Sequence, residues 1–410
     1  MAAVQALRCK ECHTSYALEA RYVCEQCFGP LEVAYDFSGL EPEATKRRIQ
    51  AGPPNLWRYA DFLPFESPRR TPLAAGVTPL IKADRLAARL GLGEVWVKND
   101  AANPTHSFKD RVVTVALAKA RELGYEVVAC ASTGNLANAV AAHAAAAGLE
   151  SYVFVPADLE EQKILATGVY GTNLVAVRGN YDDVNRLCGE LAGERDWAFV
   201  NVNVRPYYAE GSKTLAFEIA EQLGFELPDR LVVPIASGSL FTKIARGFEE
   251  WREVGLVDGG APVFNGAQAE GCSPVARAFA EGKDVCRPVK PDTVAKSLAI
   301  GDPADGPYAL DLARRSGGGV DSVTDDEIRA GIRLLAETTG VFTETAGGVT
   351  TAVLKKLADR GDIGPDERVV VVITGEGLKT LDAVRGSFET HEIEPTIASF
   401  EDAVGVGAAA

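Results

Sequence analysis

Histidine and long apolar runs are scarce in this 410-residue sequence, and each scarcity excludes a class of protein. No apolar run approaches the roughly 18 residues of a membrane-spanning helix, and the start is not signal-like, so we expect a cytoplasmic protein. Histidine occurs only four times, and no Gly-x-Ser-x-Gly turn follows a predicted strand, which excludes a serine hydrolase. The net charge of −15 argues against general nucleic-acid binding but allows an anionic small molecule.

The eight cysteines form two groups, and only the first has the spacing of metal ligands. That group consists of two Cys-x-x-Cys pairs, Cys9, Cys12, Cys24 and Cys27. Four thiolates brought together by two short hairpins can surround a structural zinc ion, which predicts a zinc ribbon over 1–36. Two disulfides in a secreted module are the alternative, which the absence of a signal peptide disfavours.

Beyond the ribbon, a proline-interrupted connector is predicted over 37–75, followed by a main body over 76–385 and a tail over 386–410. Apolar runs and helical patterns alternate in the body, which predicts a mostly parallel sheet covered on both faces. Strands are predicted at 94–98, 126–131, 151–155, 172–177 and 198–202, and helices at 110–123, 135–147, 159–169 and 181–194. Ligands of such sheets bind beyond the carboxyl ends of the strands.

Three strand ends carry candidate binding residues. Lys109 stands at the entrance of the helix predicted over 110–123, where a solvated lysine is the simpler interpretation. Asn135 follows a Ser-Thr-Gly turn and opens a helix whose N–H groups can bind an anion, although a capped helix start looks the same. The backbone of 236–240 can surround a phosphate, and a plain strand-to-helix turn is the alternative.

The buried strand 369–373 runs into Thr374-Gly-Glu-Gly-Leu-Lys. This stretch lacks the third glycine and the early βαβ context of a dinucleotide site, so we do not predict NAD binding. Further back, Glu344 precedes a helical stretch and is predicted to cap that helix. Thr324 and Glu327 form a capping box for a helix that extends to Thr339.

Six blocks between about residues 76 and 380 resemble, in the same order, the threonine synthase family of fold-type II pyridoxal-phosphate (PLP) enzymes. They include Pro104-Thr-His-Ser-Phe-Lys-Asp-Arg111, Gly76-x-Thr-Pro-Leu80 and the segment from Thr374. The resemblance implies a tryptophan-synthase-β-like α/β fold with two parallel-sheet subdomains. One subdomain, about 98–205, would be inserted in the larger one, with PLP in the cleft between them and the zinc ribbon in front.

The resemblance also implies roles for individual residues. Lys109 would hold PLP as a Schiff base and act as the catalytic acid and base, next to Phe108. Asn135 would contact the 3′-oxygen of PLP and Thr374 its pyridine nitrogen. Glu344 would lie near the pyridine face, although helix capping is the favoured role. The PLP phosphate would be held by Ala236, Ser237, Gly238, Ser239 and Leu240. Substrate contacts would come from Ser132, Thr133, Asn138, Arg205 and Lys213.

Four positions depart from the family pattern, and one of them is Ala236, where glycine is usual. His106 stands where Gly is common, and Glu376 replaces a histidine. Tyr208 occupies the place of an arginine that binds the substrate phosphate, and Arg205 is the nearest cation in sequence. These departures bear on which phosphorylated amino acid is bound.

The function implied by the resemblance is conversion of O-phospho-L-homoserine and water to L-threonine and phosphate, by a cytoplasmic lyase that forms a homodimer. The main alternative is a PLP-dependent β-replacement on O-phosphoserine, similar to cysteate synthase, or a related lyase. A non-catalytic zinc-ribbon scaffold is a third interpretation, which the intact lysine and cofactor loops disfavour.

Overall fold

A computed structural model describes residues 3–66, 70–132, 134–179 and 181–405 of the chain. Its strands form three sheets. In chain order the strands are β1 (Ala3–Cys9), β2 (Ser15–Tyr16), β3 (Leu31–Asp36), β4 (Leu80–Lys82), β5 (Glu94–Asn99), β6 (Val127–Ala131), β7 (Glu150–Pro156), β8 (Asn173–Val177), β9 (Ala198–Phe199), β10 (Arg230–Pro234), β11 (Val263–Ala269), β12 (Gly319–Val323) and β13 (Arg368–Ile373).

Helices cover the two larger sheets, and none in the described ranges is both long and apolar enough to cross a membrane. The α-helices are α1 (Pro42–Gln50), α2 (Asp84–Leu90), α3 (Lys109–Glu122), α4 (Asn135–Ala147), α5 (Glu161–Gly168), α6 (Tyr181–Glu194), α7 (Arg205–Glu210), α8 (Thr214–Gln222), α9 (Ser239–Val254), α10 (Pro274–Ala280), α11 (Gly306–Arg315), α12 (Asp325–Thr339), α13 (Thr345–Arg360) and α14 (Ile397–Val404). Short 3-10 helices lie at Leu56–Phe62, Asp100–Ala102, Gly211–Lys213, Lys296–Leu298 and Gly377–Val384.

The largest sheet has six strands in the order β12-β11-β10-β13-β5-β4. All neighbouring strands are parallel except β4, which runs antiparallel to β5. The second sheet, β8-β7-β6-β9, is parallel throughout, and its strands all lie between β5 and β10 in the chain. Val369 to Ile373 are completely buried, as expected for a central parallel strand with helices on both faces. The predicted α/β architecture is therefore confirmed, whereas the division of the chain into four segments stays a prediction.

Most predicted elements agree with the observed ones to within two residues, but β9 is shorter than predicted. It ends at Phe199 because the Asn203 side chain accepts a hydrogen bond from the Phe199 N–H at 2.8 Å and turns the chain. The N-terminal module is a three-stranded antiparallel sheet, β2-β1-β3, rather than two separate hairpins. The capping box at the start of α12 is confirmed.

A buried ion cluster joins α3 to the core of the largest sheet. Arg111, completely buried, donates to both carboxylate oxygens of Asp100 and to both of Glu218. Lys98 adds a 2.8 Å ion pair with the same Glu218. Its remaining N–H groups are taken up by the Thr78 carbonyl and the Gln222 side chain. Every charge in the cluster thus has an opposite charge and hydrogen-bond partners, as burial of ions requires.

Replacement of Glu218 by glutamine should lower the free energy of unfolding by about 3–5 kcal/mol, because Arg111 and Lys98 would lose a buried counter-charge. Chemical denaturation at neutral pH measures the loss. The matched control is Glu226→Gln, which removes a solvent-exposed partner of Arg368 and should cost about 1 kcal/mol or less. An equal loss in the free energy of unfolding for the two variants would contradict the prediction that the buried cluster stabilises the fold.

The same cluster predicts a pH dependence. Burial alone would raise the pKa of Glu218, but the charges of Arg111 and Lys98 outweigh burial and hold that pKa well below the usual range. The stabilisation is therefore complete above the pKa of an unfolded glutamate and is lost as the pH falls below about 4. Between pH 5 and 3 the Glu218→Gln variant should lose less stability than the unaltered protein.

Candidate active site

Lys109 is held at the first turn of α3 by backbone contacts with the segment that follows β13. The Phe108 N–H donates to the Thr374 carbonyl at 2.9 Å, and Ser107 forms an isolated antiparallel bridge with Gly375. The Lys109 amine donates to the Tyr208 hydroxyl at 2.7 Å and lies 4.7 Å from the centre of the Phe108 ring. A half-buried amine therefore projects from a rigid support.

The Asp110 side chain holds the loop before Lys109 in place. Its carboxylate accepts hydrogen bonds from the backbone N–H and the hydroxyl of Thr105. His143 of α4 contacts the same carboxylate, with 2.8 Å between Nε2 and Oδ1. All three side chains are buried, so the loop is tied to both α3 and α4 and Lys109 has little freedom to shift.

Three neighbouring strands of the largest sheet end at this place. In the register, Val232 of β10 pairs with Val371 of β13, and Ile373 of β13 pairs with Asn99 of β5. Because the strands are parallel, their carboxyl ends share one edge of the sheet. The 236–240 loop, Thr374 and the segment that leads to Lys109 consequently lie next to one another, as the motif order predicted.

The 236–240 loop has the geometry of an anion cradle. Gly238 adopts φ +97°, and no side chain caps α9, whose first turn follows it. A Cβ on Gly238 would lie 2.7 Å from the Asp305 carbonyl oxygen, so only glycine fits. Arg205 forms a 2.8 Å ion pair with the Asp305 side chain, which brings a cation to the same loop. Free N–H groups at a helix start beside a positive charge suit a phosphate.

The sequence favours a helix cap at Glu344, with a place near the pyridine face of PLP as the other expectation. Glu344 precedes α13 but caps it with no side-chain hydrogen bond, so the predicted capping role is wrong. Its carboxylate instead accepts from Asn135 Nδ2 at 2.9 Å and from the Thr374 hydroxyl at 3.3 Å. Burial raises the pKa of Glu344, although Asn135 and the Lys379 charge oppose the rise. Lys379 in turn donates to Asn135 Oδ1 at 2.8 Å.

Two predicted substrate contacts have partners within the protein. The Ser132 hydroxyl accepts from the backbone N–H groups of Gly134 and Ala137 and so caps the start of α4. Asn138 donates to the Ala166 carbonyl of α5 at 3.0 Å. Thr133 lies outside the described residues.

Lys213, the remaining predicted substrate contact, is bound by groups of the protein itself. It is completely buried, paired with Glu210 at 2.5 Å and with Glu250 at 2.9 Å, and stacked 4.2 Å above the Tyr35 ring of β3. These partners saturate its charge and belong to the contact between the N-terminal module and the body. A contact with a substrate phosphate would require the two ion pairs to break.

The four N-terminal cysteines come together as their spacing predicted. Their sulfur atoms all lie within 4.8 Å of one another, with 3.5 Å between Cys9 and Cys27 and between Cys12 and Cys24. None of them is joined in a disulfide. Sulfurs bound tetrahedrally to zinc lie about 3.8 Å apart, given Zn–S bonds of about 2.3 Å. The donor set and its spacing fit a zinc ion.

The residues around Lys109 also fit PLP. The amine can bind an aldehyde, the 236–240 loop a phosphate, and the Thr374 hydroxyl a ring nitrogen. The Ser107 hydroxyl, two residues from Lys109, is buried without a hydrogen-bond partner among the described residues. A buried hydroxyl left unpaired costs stability, so its place beside the amine is consistent with a polar ligand there.

Comparisons with known proteins agree with this geometry. A family model described as pyridoxal-phosphate dependent enzyme matches residues 71–375. A threonine synthase of Methanocaldococcus jannaschii is 39% identical over 392 residues, which cover 94% of this chain and 96% of that protein. One of Methanosarcina acetivorans is 40% identical over 95% of each chain. This chain belongs to the threonine synthase family of PLP-dependent enzymes. The resemblance inferred from its motifs is confirmed.

Solved structures show how widely the fold is shared. A diaminopropionate ammonia lyase from Escherichia coli has a TM-score of 0.65 at 18% identity, covering 85% of this chain and 92% of that one. A threonine deaminase from Solanum lycopersicum has a TM-score of 0.64 at 21% identity, covering 84% of this chain and 92% of that one. At such identities the likeness concerns the fold alone.

Substitution of Gly238 by alanine should weaken PLP binding at least about tenfold, because the new Cβ would displace the cradle from Asp305. Absorbance titration of the cofactor-free protein with PLP measures the affinity.

The matched control is Gly255→Ala at the other end of α9. Gly255 has a similar φ of +76°, but a Cβ there would meet only the Pro42 side chain at 3.5 Å. The control should cost stability without a change in PLP affinity. An unchanged affinity in Gly238→Ala would count against a phosphate in this loop.

Proposed function

We propose that this protein converts O-phospho-L-homoserine and water to L-threonine and inorganic phosphate with PLP as cofactor. The observation that carries the proposal is the 39–40% identity to two threonine synthases over 94–95% of the chain. The half-buried Lys109 amine, at the shared end of β5, β10 and β13, supports it with the required chemical group.

We assign the cofactor contacts as follows. Lys109 would hold PLP covalently, Phe108 and Asn135 would flank it, Thr374 would face its ring nitrogen, and Ala236 to Leu240 would bind its phosphate. When bound, PLP stabilises the negative charge that proton loss leaves on the α-carbon of the substrate. A neutral hydroxyl at Thr374 would leave the ring nitrogen unprotonated.

Lys109 is also the proposed acid and base. Once released from the cofactor, its amine would take the proton from the α-carbon and move protons at the β- and γ-carbons. Phosphate leaves from the γ-carbon and water adds at the β-carbon, which accounts for all atoms of threonine and phosphate. The ties of Asp110 to Thr105 and His143 would keep the amine in place during these transfers.

Arg205 is the best-supported candidate for the phosphate of the substrate. It is one-third exposed and stands beside the 236–240 loop through its ion pair with Asp305. Ser132 and Thr133 remain proposals for the carboxylate or phosphate. Asn138 and Lys213 have less support, because each already has partners within the protein.

A β-replacement on O-phosphoserine is the second candidate. The observation in its favour is Tyr208, a neutral group where the sequence pattern of the family has a phosphate-binding arginine. Both reactions need the same cofactor residues, so the two candidates differ only in substrate and in the group that adds to it.

Phosphate release from O-phosphohomoserine and from O-phosphoserine distinguishes the candidates, with the product identified by mass. We expect threonine from phosphohomoserine, and a rate lower by about a thousandfold or more in Lys109→Ala. Turnover of phosphoserine alone, with sulfite or sulfide supplied, would favour β-replacement. If neither compound reacts while PLP is bound, both proposed substrates are wrong.

We further propose that Cys9, Cys12, Cys24 and Cys27 bind one structural zinc ion, since four protein ligands leave no open position for catalysis. Elemental analysis of the purified full-length protein should find one zinc per chain and almost none in Cys12→Ser. The control Cys286→Ser alters a cysteine outside the cluster and should keep its zinc. Full zinc content in Cys12→Ser would contradict the proposal.

A cytoplasmic location and a homodimer complete the proposal. The location rests on the lack of a long apolar run in the sequence, and the homodimer rests on the resemblance to the family. A small phosphorylated amino acid is the proposed partner of the cleft.

A further inference from the structure

The hydrogen bond between Lys109 and Tyr208 has no counterpart in the family pattern. The two atoms are 2.7 Å apart, and the Lys109 amine also lies 5.4 Å from the centre of the Tyr208 ring. The charge of Lys109 also acts on the buried Glu344 carboxylate, but no carboxylate among the described residues is hydrogen-bonded to this amine. The phenol is therefore the polar group that binds this amine directly.

A phenol suits a lysine that changes its protonation state. A tyrosine hydroxyl can accept a hydrogen bond from an ammonium group and can also donate one to a neutral amine. An arginine at the same place could only donate, and its positive charge would repel an ammonium group. Tyr208 can thus hold Lys109 in both states, whereas the family's arginine could hold only one.

Helix α7 is anchored so that Tyr208 stays within reach. The neighbouring Tyr207 is completely buried and donates to the Glu19 carbonyl of the N-terminal module at 2.9 Å. Two residues beyond Tyr208, Glu210 accepts from the Tyr35 hydroxyl at 2.6 Å and pairs with Lys243 at 2.8 Å. Tyr207 and Glu210 of this helix are thus hydrogen-bonded to the N-terminal module, while Tyr208 contacts Lys109.

We propose that Tyr208 is a positioning residue that holds the free Lys109 amine, both as an amine and as an ammonium group, and that the N-terminal module keeps Tyr208 in place. This inference rests on the proposed function of Lys109. It assigns to Tyr208 a task other than phosphate binding, which the arginine of the family pattern performs.

The reactivity of Lys109 in the full-length, cofactor-free protein tests the proposal. Acetic anhydride modifies free amines, and mass spectrometry of peptides gives the rate of modification at Lys109 across a range of pH. Tyr208→Phe should raise the rate about fivefold at each pH, the factor expected for the loss of one ordinary hydrogen bond. Tyr208→Arg should instead move the midpoint of the pH profile to lower pH, because a fixed cation disfavours the ammonium form.

Tyr308→Phe is the matched control, since the Tyr308 hydroxyl also binds the N-terminal module, at Glu11, but lies outside α7. It should leave the Lys109 profile unchanged. A Tyr208→Phe rate within twofold of the unaltered protein, or an unshifted midpoint in Tyr208→Arg, would overturn the proposal. Melting temperatures identify a variant that reacts faster only because it is unfolded.

The same measurement on PLP-loaded protein separates this inference from the proposed function. If Lys109 holds PLP, loading should protect Lys109 from modification in the unaltered protein and in Tyr208→Phe. Loss of protection in both would refute the function of Lys109. Protection together with an unchanged cofactor-free rate would refute only the task of Tyr208.

Discussion

The buried guanidinium group of Arg111 is the constraint on which the candidate site depends. Arg111 lies two residues beyond Lys109 in α3. Its ion pairs join this helix to Asp100, which follows β5, and to Glu218 of α8. Ion pairs in a dry core are directional and are costly to break, so they permit few alternative positions of the helix. The orientation of the reactive amine is thereby decided inside the protein, by groups that no substrate can reach.

The candidate site lies where groups that follow strands of two different sheets meet. The larger sheet provides the lysine segment, the 236–240 loop and Thr374 from adjacent strand ends. The smaller sheet provides Asn135, which Glu344 and Lys379 connect to the larger one. Burial lowers the pKa of Lys379 and raises the pKa of Glu344. In both side chains burial therefore disfavours the charged form, in the place where a polar ligand would bind.

The sequence predicted those features whose causes are local. Lys109, Gly238 and Thr374 follow strand ends, and parallel topology brings strand ends together whatever the rest of the chain does. The partners of Lys213 could not be predicted, because they include Glu250 and Tyr35 of the N-terminal module, which no local pattern reveals. For Glu344 the helix cap was favoured over the place near the pyridine face because its partner Asn135 is 209 residues away in the chain.

The pairing of β5 with β13 has a consequence for biosynthesis. Glu94 and Arg368, at the start of this pair, are 274 residues apart. A ribosome must therefore release every residue up to β13 before the central sheet can close, while the strands of the smaller sheet are complete much earlier. Contacts of such long sequence separation slow folding and leave apolar edges exposed meanwhile. Because the segment before Lys109 contacts Thr374 and Gly375, it gains its final surroundings only after β13 has been made.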